Sequence, residues 1–296
     1  MNAFRCSAAS ASREEPACGS ASTVRAFLLV ENDGPWGVDA LRDSRLPTHV
    51  KSALGARARA AGVRVLLVRR HRAMGPRGGL RVMAAWSDPS APWLEKATVT
   101  GPEALLDVDV ESLGRGTSPG LTASDEPVFA VCTHGRHDAC CAELGRPTAA
   151  ALSASHPDLT WEVSHVGGDR FAANVLVLPD GLYYGRVPAA AASALADRHL
   201  AGHVDLDLLR GRSSFDVPAQ VAEVAVRREA RETRRGVVRV LSATRAGGDV
   251  AVVMGVDGAA YDVLLHRTTE GTALLTCKAA RENPLIRYDV VRVRRR

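Results

Sequence analysis

Potential ligands of soft metals are concentrated in one stretch of the chain, residues 127–187. Three of the six cysteines and four of the nine histidines lie in this stretch. These residues are Cys132, Cys140, Cys141, His134, His137, His156 and His165. Thiolate and imidazole groups are preferred ligands of zinc, copper and iron–sulfur centres. The composition of residues 127–187 therefore indicates a metal centre.

The candidate ligands follow apolar segments that have the length of buried strands. The segment PVFAV leads into Cys132, and the segment WEV leads toward His165 and the pair Gly167-Gly168. Ligands at strand ends lie on loops that a rigid sheet holds in place. Two adjacent glycines permit positive φ angles and a close approach of the backbone to a bound group. The pattern predicts a metal site at one end of a small sheet.

The same residues carry a resemblance to a known family. The segments CTHGRHDACCAELGRP (132–147) and WEVSHVGGDRFAANVLVLPDGLYYGRV (161–187) look like the core of the sucrase/ferredoxin-like family. Its best understood members resemble thioredoxin-fold ferredoxins, in which a C-x8-C pair and an H-x-G-G-H motif hold a [2Fe-2S] cluster. Cys132 and Cys141 have the C-x8-C spacing, and His165 begins the second motif, whose last position here is Asp169.

The resemblance implies one [2Fe-2S] cluster in a thioredoxin-like domain. Cys132 and Cys141 would hold the inner iron, and the outer iron, nearer to solvent, would be bound by His165 and Asp169. The N–H groups of Gly167 and Gly168 would face the cluster sulfurs. Histidines can replace the cysteines on one iron of such clusters.

The charge of this ligand set predicts the reduction potential. A thiolate or carboxylate ligand adds one negative charge, and a neutral imidazole adds none. Two cysteines, one histidine and one aspartate therefore lie between the all-cysteine set and the set with two histidines. We expect a potential above the roughly −400 mV of plant-type ferredoxins and below the Rieske range of about −150 to +300 mV.

Several of these residues have alternative interpretations. Cys132 closes an apolar strand and is compatible with a small buried hydrophobic residue. Cys140 adjoins Cys141 and is assigned to packing, since two neighbouring cysteines do not readily point into one site. His134 and His137 are either hydrogen-bond donors to the cluster sulfurs or surface residues. Asp169 is placed equally well for an ion pair with Arg170 or Arg136.

Other chemistries find little support in the sequence. It contains no P-loop, no G-x-S-x-G elbow and no C-x-x-C dithiol. Nothing singles out the pair of carboxylates that a glycosidase such as a sucrase needs. The leading interpretation is an electron carrier that serves an unidentified redox partner protein, rather than an enzyme. The alternatives are a zinc protein using Cys132, Cys141, His165 and Asp169, and a metal-free thioredoxin-fold interaction protein.

Composition places the chain among ordinary globular proteins. Its 296 residues predict two or three units, with 46% hydrophobic and 24% charged residues and a net charge of +5. We expect no membrane partner, because no apolar run has the length of a membrane helix. Six cysteines in such a chain do not indicate a disulfide scaffold, so a reducing, cytoplasmic location is expected. An arginine-rich segment, residues 227–235, is interpreted as a solvated helix face rather than a nucleic-acid site.

The patterns divide the chain into four parts. Residues 1–23 are predicted to be a flexible tail in which Cys6 and Cys18 have no role. Residues 24–126 are predicted to be an N-terminal thioredoxin-like unit, 127–208 the ferredoxin domain with the cluster motif, and 209–296 a C-terminal α+β unit. The predicted fold class is α/β with mixed α+β character, in which small mixed sheets are flanked by helices.

The main elements follow from hydrophobic periodicity and turn signals. The predictions are a strand at 24–31, a helix at 46–61, a hairpin of strands 63–70 and 80–86 around a loop at 71–79, a helix at 143–155, a hairpin around Asp180-Gly181, a connector at 210–218, a helix at 219–235, and strands at 237–244, 249–256, 260–266, 273–277 and 286–293. The N-terminal unit is expected to repeat the fold of the ferredoxin domain.

Overall fold

The computed structural model describes residues 4–71 and 78–296. A short helix, α1 (Cys6–Ser12), precedes a ten-stranded mixed sheet, and a four-stranded antiparallel sheet ends the chain. The fold class is therefore mixed α/β, as the sequence predicts. Most of the loop predicted at 71–79 lies outside the described residues.

The first half of the large sheet is built around a fully buried strand. Its elements are β1 (Ala26–Glu31), α2 (Thr48–Ala60), β2 (Val63–Arg69), β3 (Leu80–Trp86), β4 (Trp93–Val99), a 3₁₀ turn at Pro102–Asp107, α3 (Val110–Gly114) and β5 (Thr122–Ala123). The strand order is β2-β1-β3-β4-β5, with β1 parallel to β2 and antiparallel to β3. The predicted hairpin of 63–70 with 80–86 is wrong, because the buried strand β1 lies between these strands and pairs with both of them.

The second half repeats this arrangement. Its elements are β6 (Val128–Cys132), α4 (Ala139–Ser155), β7 (Thr160–Val163), a 3₁₀ turn at Asp169–Phe171, β8 (Val175–Leu178), β9 (Leu182–Tyr184), a 3₁₀ turn at Ala189–Ala191 and α5 (Ala192–Leu200). The order β7-β6-β8-β9 matches β2-β1-β3-β4, and β6 is parallel to β7 and antiparallel to β8. The predicted repeat of the fold is thus confirmed at the level of strand order, as is the hairpin at Asp180-Gly181.

Helix α4 begins four residues earlier than predicted. Asp138 is its N-cap, and the carboxylate accepts a hydrogen bond from the N–H of Cys140 at 2.9 Å. The two cysteines of the predicted loop therefore lie in the first helical turn. Pro147, expected near the helix start, lies inside the helix.

The two halves form one continuous sheet. Strands β2 and β7 pair antiparallel, with Val68 opposite Val163 and Arg69 opposite Glu162. Glu162 is buried and accepts hydrogen bonds from Arg69 at 2.7 Å and from Thr133 at 2.8 Å. The predicted unit 24–126 supplies strands β1 to β5 and the unit 127–208 supplies β6 to β9. Their division into domains stays a prediction.

The last part of the chain begins with a strand of the large sheet. The segment β10 (Leu209–Arg212) pairs with β9, so the connector predicted at 210–218 is wrong in its first residues. Then follow α6 (Val217–Ala230), β11 (Val238–Ala246), β12 (Asp249–Val256), β13 (Ala259–Ala273) and β14 (Asn283–Arg295). The strand predicted at 260–266 is part of the longer strand β13. The strand predicted at 273–277 is wrong, because β13 ends at Ala273 and residues 274–277 are not in a strand.

Arginines of the predicted solvated face are in part buried. Arg227 is fully buried and contacts Glu223 at 3.0 Å, as its i,i+4 spacing predicts. Arg212 approaches the same carboxylate at 3.5 Å. Arg235 binds Asp180 at 2.6 Å. These side chains join α6 to the large sheet, so the segment is not a uniform solvated face.

The predicted tail is packed against the rest of the molecule. Cys6 is buried in α1, and the N–H of Gly19 donates to the carbonyl of Arg210 at 2.7 Å. The expectation of a flexible tail is therefore wrong for residues 4–23, because their contacts bury apolar and sulfur-containing side chains. Among the described residues, helices are too short or too polar to cross a lipid bilayer.

Candidate metal centre

Three of the four predicted ligands lie close together at one end of the second half of the sheet. Cys132 is the last residue of β6, Cys141 lies in the first turn of α4, and His165 follows β7 by two residues. Their ligand atoms lie within 4.8 Å of one another. Side chains far apart in the sequence thus form one potential metal site, which we call the thiol–imidazole group.

Asp169 lies at the edge of this group. Its Oδ1 accepts a hydrogen bond from the Cys141 thiol at 3.1 Å and lies 2.9 Å from Nδ1 of His165. Its Oδ2 lies 3.7 Å from Nε2 of His137. Burial opposes ionisation, but His165 holds the pKa of Asp169 below its usual range. The neighbours of Asp169 are ligand-type side chains, whereas Arg170 pairs with Glu15.

The two thiols differ in their proton affinity. The adjacent Cys141 thiol and the His165 ring hold the pKa of Cys132 well below its usual range, although burial opposes this. The same contact with Cys132, together with burial, raises the pKa of Cys141. Although burial alone would lower it, Asp169 and Cys132 raise the pKa of His165 to about 9. Both shifts favour a deprotonated Cys132 beside a protonated His165 over the neutral pair.

His134 holds the ligand loop in position. Its Nε2–H donates to the carbonyl of Gly37 at 2.6 Å, and its Nδ1 accepts from the N–H of His165 at 3.2 Å. These two bonds fix one neutral tautomer. Burial lowers the pKa of His134, in agreement with a neutral ring. His134 is thus not a surface residue: its ring orients the backbone of His165, while its backbone N–H donates to the sulfur of Cys132.

His137 is the more exposed histidine of the loop. Its ring stacks on the ring of His165, with centroids 3.7 Å apart and planes at 20°. Ligand atoms of His137, His165 and Asp169 lie within 4.8 Å of one another. A cavity of about 460 Å³ opens beside His137 and His165. The imidazole side of the site therefore reaches solvent, while the thiols are buried.

Side chains hold four successive carbonyl groups of the ligand loop, residues 165–168. Arg64 donates to the carbonyl of His165 at 3.0 Å and Ser22 to that of Val166 at 3.0 Å. Arg210 donates to Gly167 at 2.9 Å, and the Asn174 amide donates to Gly168 at 2.9 Å. The loop is therefore preorganised by donors from four separate segments.

The backbone conformation of this loop requires glycine at positions 167 and 168. Gly167 and Gly168 have φ angles of 98° and 78°, in the left-handed region where a Cβ is unfavourable. A Cβ on Gly168 would also overlap the guanidinium of Arg210. Arg210 is fully buried and donates to Oδ1 of Asn174 at 2.8 Å and to Oγ of Ser20 at 3.0 Å. The close approach of this arginine requires glycine.

Comparison with known families agrees with this geometry. A family model described as Sucrase/ferredoxin-like matches residues 17–211, more than half of the chain. The chain belongs to the sucrase/ferredoxin-like family. Comparisons with curated proteins and with solved structures find no match.

The sucrase/ferredoxin-like match covers all the residues predicted to bind a metal. The structure brings together Cys132, Cys141 and His165, and it places Asp169 in contact with two of them. His156 lies apart, at the end of α4, and approaches Asp197 at 3.2 Å. Unlike His156, the residues Cys132, Cys141, His165 and Asp169 belong to groups that can hold a metal ion.

Sequence reasoning missed two sets of residues. Arg210 lies in the predicted connector at 210–218. Its contact with the ligand loop depends on the pairing of β10 with β9. Cys140, assigned to packing, lies with Cys6, Asp138 and Cys277 in a second potential metal-binding group that is separate from Cys132, Cys141 and His165. Cys6 and Cys277 are residues of a type that binds metals, and this was the only sequence signal. They are far apart in the sequence, so nothing indicated that they meet.

Proposed function

We propose that this member of the family is an electron carrier with one [2Fe-2S] cluster. The observation that carries the proposal is the meeting of Cys132, Cys141 and His165 at one sheet end, with Asp169 beside them. The cluster, when bound, supplies a one-electron redox couple. Cys132 and Cys141 would hold the inner iron, and His165 and Asp169 the outer one.

The donor set fits such a group. Two thiols are buried on one side, and an imidazole with 24% side-chain exposure lies on the other beside a carboxylate. Nδ1 of His165 is buried and has no aligned hydrogen-bond partner, although Asp169 Oδ1 lies 2.9 Å away. Thiolate and imidazole side chains are ligand types that iron–sulfur and zinc centres use.

The surrounding residues favour electron exchange over catalysis. Side chains that hold the loop carbonyls leave little freedom for the ligands, so reorganisation on a change of charge is small. The guanidinium of Arg210 and the loop N–H groups offset negative charge. The imidazole edge faces the open cavity, where a redox partner protein can approach.

A mononuclear zinc site is the second candidate. Separations within 4.8 Å among Cys132, Cys141 and His165 also suit a tetrahedral ion, and Cys141 and Asp169 are in direct contact at 3.1 Å. Zinc has no redox chemistry, and four protein ligands would leave it no open position, so zinc would make the centre structural.

Metal content distinguishes these candidates. The protein is purified without oxygen, and iron, acid-labile sulfide, zinc and the visible spectrum are measured. We expect two irons and two sulfides per chain, and an electron paramagnetic resonance signal after reduction. Cys132→Ser should lose the iron, whereas Cys18→Ser, which alters a cysteine outside both potential metal groups, should retain it. A colourless protein with zinc that Cys132→Ser removes would establish the alternative.

The fourth ligand requires a separate comparison, because His137 and Asp169 both lie near His165. If Asp169 binds the outer iron, Asp169→Ala should bleach the spectrum and Asp169→His should keep it and raise the potential. His137→Ala should then leave iron content unchanged. The opposite result, with iron lost only in His137→Ala, would replace Asp169 by His137 in the ligand set.

A further inference from the structure

A second group of metal-ligand side chains lies beside the first and has a different origin in the sequence. Its members come from α1, from the start of α4 and from the segment after β13. They are Cys6, Asp138, Cys140 and Cys277. Cys6 and Asp138 are fully buried, and Cys140 is 1% exposed. All six cysteines of the chain are free thiols.

The separations match a tetrahedral site. Zinc–sulfur bonds of about 2.3 Å in a tetrahedron place the sulfurs about 3.8 Å apart. The Sγ atoms of Cys140 and Cys277 are 3.4 Å apart, and those of Cys277 and Cys6 are 3.6 Å apart. Cys6 Sγ lies 3.6 Å from Oδ1 of Asp138. All four ligand atoms lie within 4.8 Å of one another, so one ion can contact every member.

Asp138 gives the group its charge. Its oxygens accept from the N–H of Cys140 at 2.9 Å and from the N–H of Cys277 at 2.6 Å, and the Cys6 thiol is its third partner. A buried carboxylate is costly without a compensating charge. A divalent cation among three sulfurs would provide that charge, and it would use the lone pairs that the backbone bonds leave free.

The second group is distinct from the thiol–imidazole group. Cys140 and Cys141 are neighbours in the first turn of α4, but Cys140 contacts Cys277 whereas Cys141 contacts Asp169. Cys6 and Cys277 both lie outside residues 17–211, which the family model matches. The second group is thus completed by the segments that flank the family core.

We propose that Cys6, Asp138, Cys140 and Cys277 bind one zinc ion as a structural site. Four protein ligands leave no open position, as in structural zinc sites. The Ser7 hydroxyl donates to Cys140 Sγ at 3.1 Å and would orient this ligand. The ion fastens the N-terminal helix and the C-terminal sheet to the helix that carries Cys141.

Nearby contacts join the same segments. Arg5 binds Glu143 of α4 at 2.6 Å, and Lys278 donates to the carbonyl of Arg136 at 2.5 Å. Both cations are at the surface, where such polar contacts contribute little to stability. The buried ligands between them therefore supply the specific connection.

Zinc content tests this site independently of the proposed cluster. The full chain is produced with added zinc, purified under reducing conditions, dialysed against a weak chelator and analysed by plasma mass spectrometry. We expect one zinc per chain in the natural protein and in Cys132→Ser, whose alteration falls in the other group. Cys277→Ser and Asp138→Asn should bind zinc at least tenfold more weakly. Cys18→Ser is the matched control and should retain the ion.

The choice of variants keeps the test valid if folding is affected. Asparagine caps helices as well as aspartate does, so Asp138→Asn removes the charge of the ligand but keeps the helix start. Replacing zinc by cobalt gives thiolate charge-transfer bands, which should weaken in Cys277→Ser. Zinc that persists in Cys277→Ser, zinc that only Cys132→Ser removes, or a disulfide in the intact mass of the freshly purified natural protein would each overturn the proposal.

Discussion

The two halves of the ten-stranded sheet share one strand order, but the potential metal-binding groups found in residues 4–71 and 78–296 draw side chains from the second half and none from the first. The halves differ in the link between the first strand and the following helix. This link spans residues 32–47 in the first half and residues 133–138 in the second. The short link places the first turn of α4 beside the end of β6, so Cys132 and Cys141 meet. Strand order alone therefore does not create the site; the length of one connection does.

The long link of the first half covers the site of the second. The carbonyl of Gly37 accepts the hydrogen bond of His134, and the Trp36 ring meets the His134 ring edge-on at 5.7 Å. Residues 24–126 contain no cysteine. The first half contacts the site through ring packing and hydrogen bonds. The second half thus carries the potential ligands, and the first half supports their positions.

The largest effect is expected from Arg210, which anchors the ligand loop within the second half. Arg210→Ala leaves the carbonyl of Gly167, Oδ1 of Asn174 and the oxygens of Ser20 without their donor. We expect a loss of about 3–5 kcal/mol in the free energy of unfolding, since each buried unpaired group costs about 1–3 kcal/mol. Urea unfolding measures it.

The control is an exposed arginine of the first half. Arg25 lies 3.7 Å from Asp88, and its side chain is 55% exposed. Arg25→Ala should change the stability by less than about 1 kcal/mol. If both variants lose equally little, the ligand loop is not held by Arg210.

A pair of glycines tests how tightly each helix approaches its first strand. A Cβ on Gly145 of α4 would overlap the carbonyl oxygen of Cys132, whereas a Cβ on Gly55 of α2 would only touch Leu41 at 3.4 Å. Gly145→Ala should therefore destabilise the protein by about 2–3 kcal/mol through overpacking. Gly55→Ala should be neutral or stabilise it by up to about 1 kcal/mol.

Thermal unfolding of both variants and iron content measure these effects. Because Gly145 lies one turn after Cys141, its alanine variant should also bind metal more weakly. Equal melting temperatures for the two variants would show that the halves do not differ in helix approach.

Much of this comparison could be read from the sequence. The strand ending at Cys132, the glycines before Asp169 and the turn at Asp180-Gly181 carry local signals, and each is found where predicted. The repeated topology followed from the order of elements. Local pattern and local turn chemistry are sufficient for such features.

Other features depend on contacts between distant residues. The periodicity of 63–70 and 80–86 fits a hairpin as well as it fits two strands separated by β1, so pairing could not be inferred. The polar sequence around Cys6 resembles a tail, and its burial depends on contacts with residues far away in the sequence, among them Asp138 and Cys277. The role of Arg210 likewise requires β10 to lie at the sheet edge.

The β-turns of the two halves should respond differently to pH. Asp180, in the turn from β8 to β9, is buried beside His199 and Arg235, with Arg212 nearby. Although burial opposes it, these groups lower the pKa of Asp180 to about 2 from its ordinary 3.8. A lowered pKa stabilises the folded state above the unfolded pKa, and this contribution disappears as the pH falls from about 5 to about 2.

Asp180→Asn should therefore cost about 2 kcal/mol at pH 7, because one pKa unit corresponds to about 1.4 kcal/mol. The difference from the natural protein should narrow below pH 4 in urea unfolding. In the first half, Asp88 is more exposed and its pKa is lowered mainly by Ser90 against the effect of burial, so Asp88→Asn should have a smaller effect. The lowered pKa of Asp180 would be contradicted if Asp180→Asn and the natural protein differed in stability by the same amount at pH 7 and at pH 3.

The smallest effect is expected where the first half contacts the ligand loop. Arg64 of β2 donates one hydrogen bond to the carbonyl of His165, while Ser22, Arg210 and Asn174 hold the next three carbonyls. Arg64→Ala should cost about 1 kcal/mol, the net value of one such bond, and iron should remain bound. A chelator should remove iron from Arg64→Ala only slightly faster than from Ser22→Ala. The Ser22 variant removes the neighbouring hydrogen bond, which comes from the N-terminal segment. If Arg64→Ala lost its iron, the first half would be part of the metal site rather than a support for it. The two halves would then not differ in the way proposed.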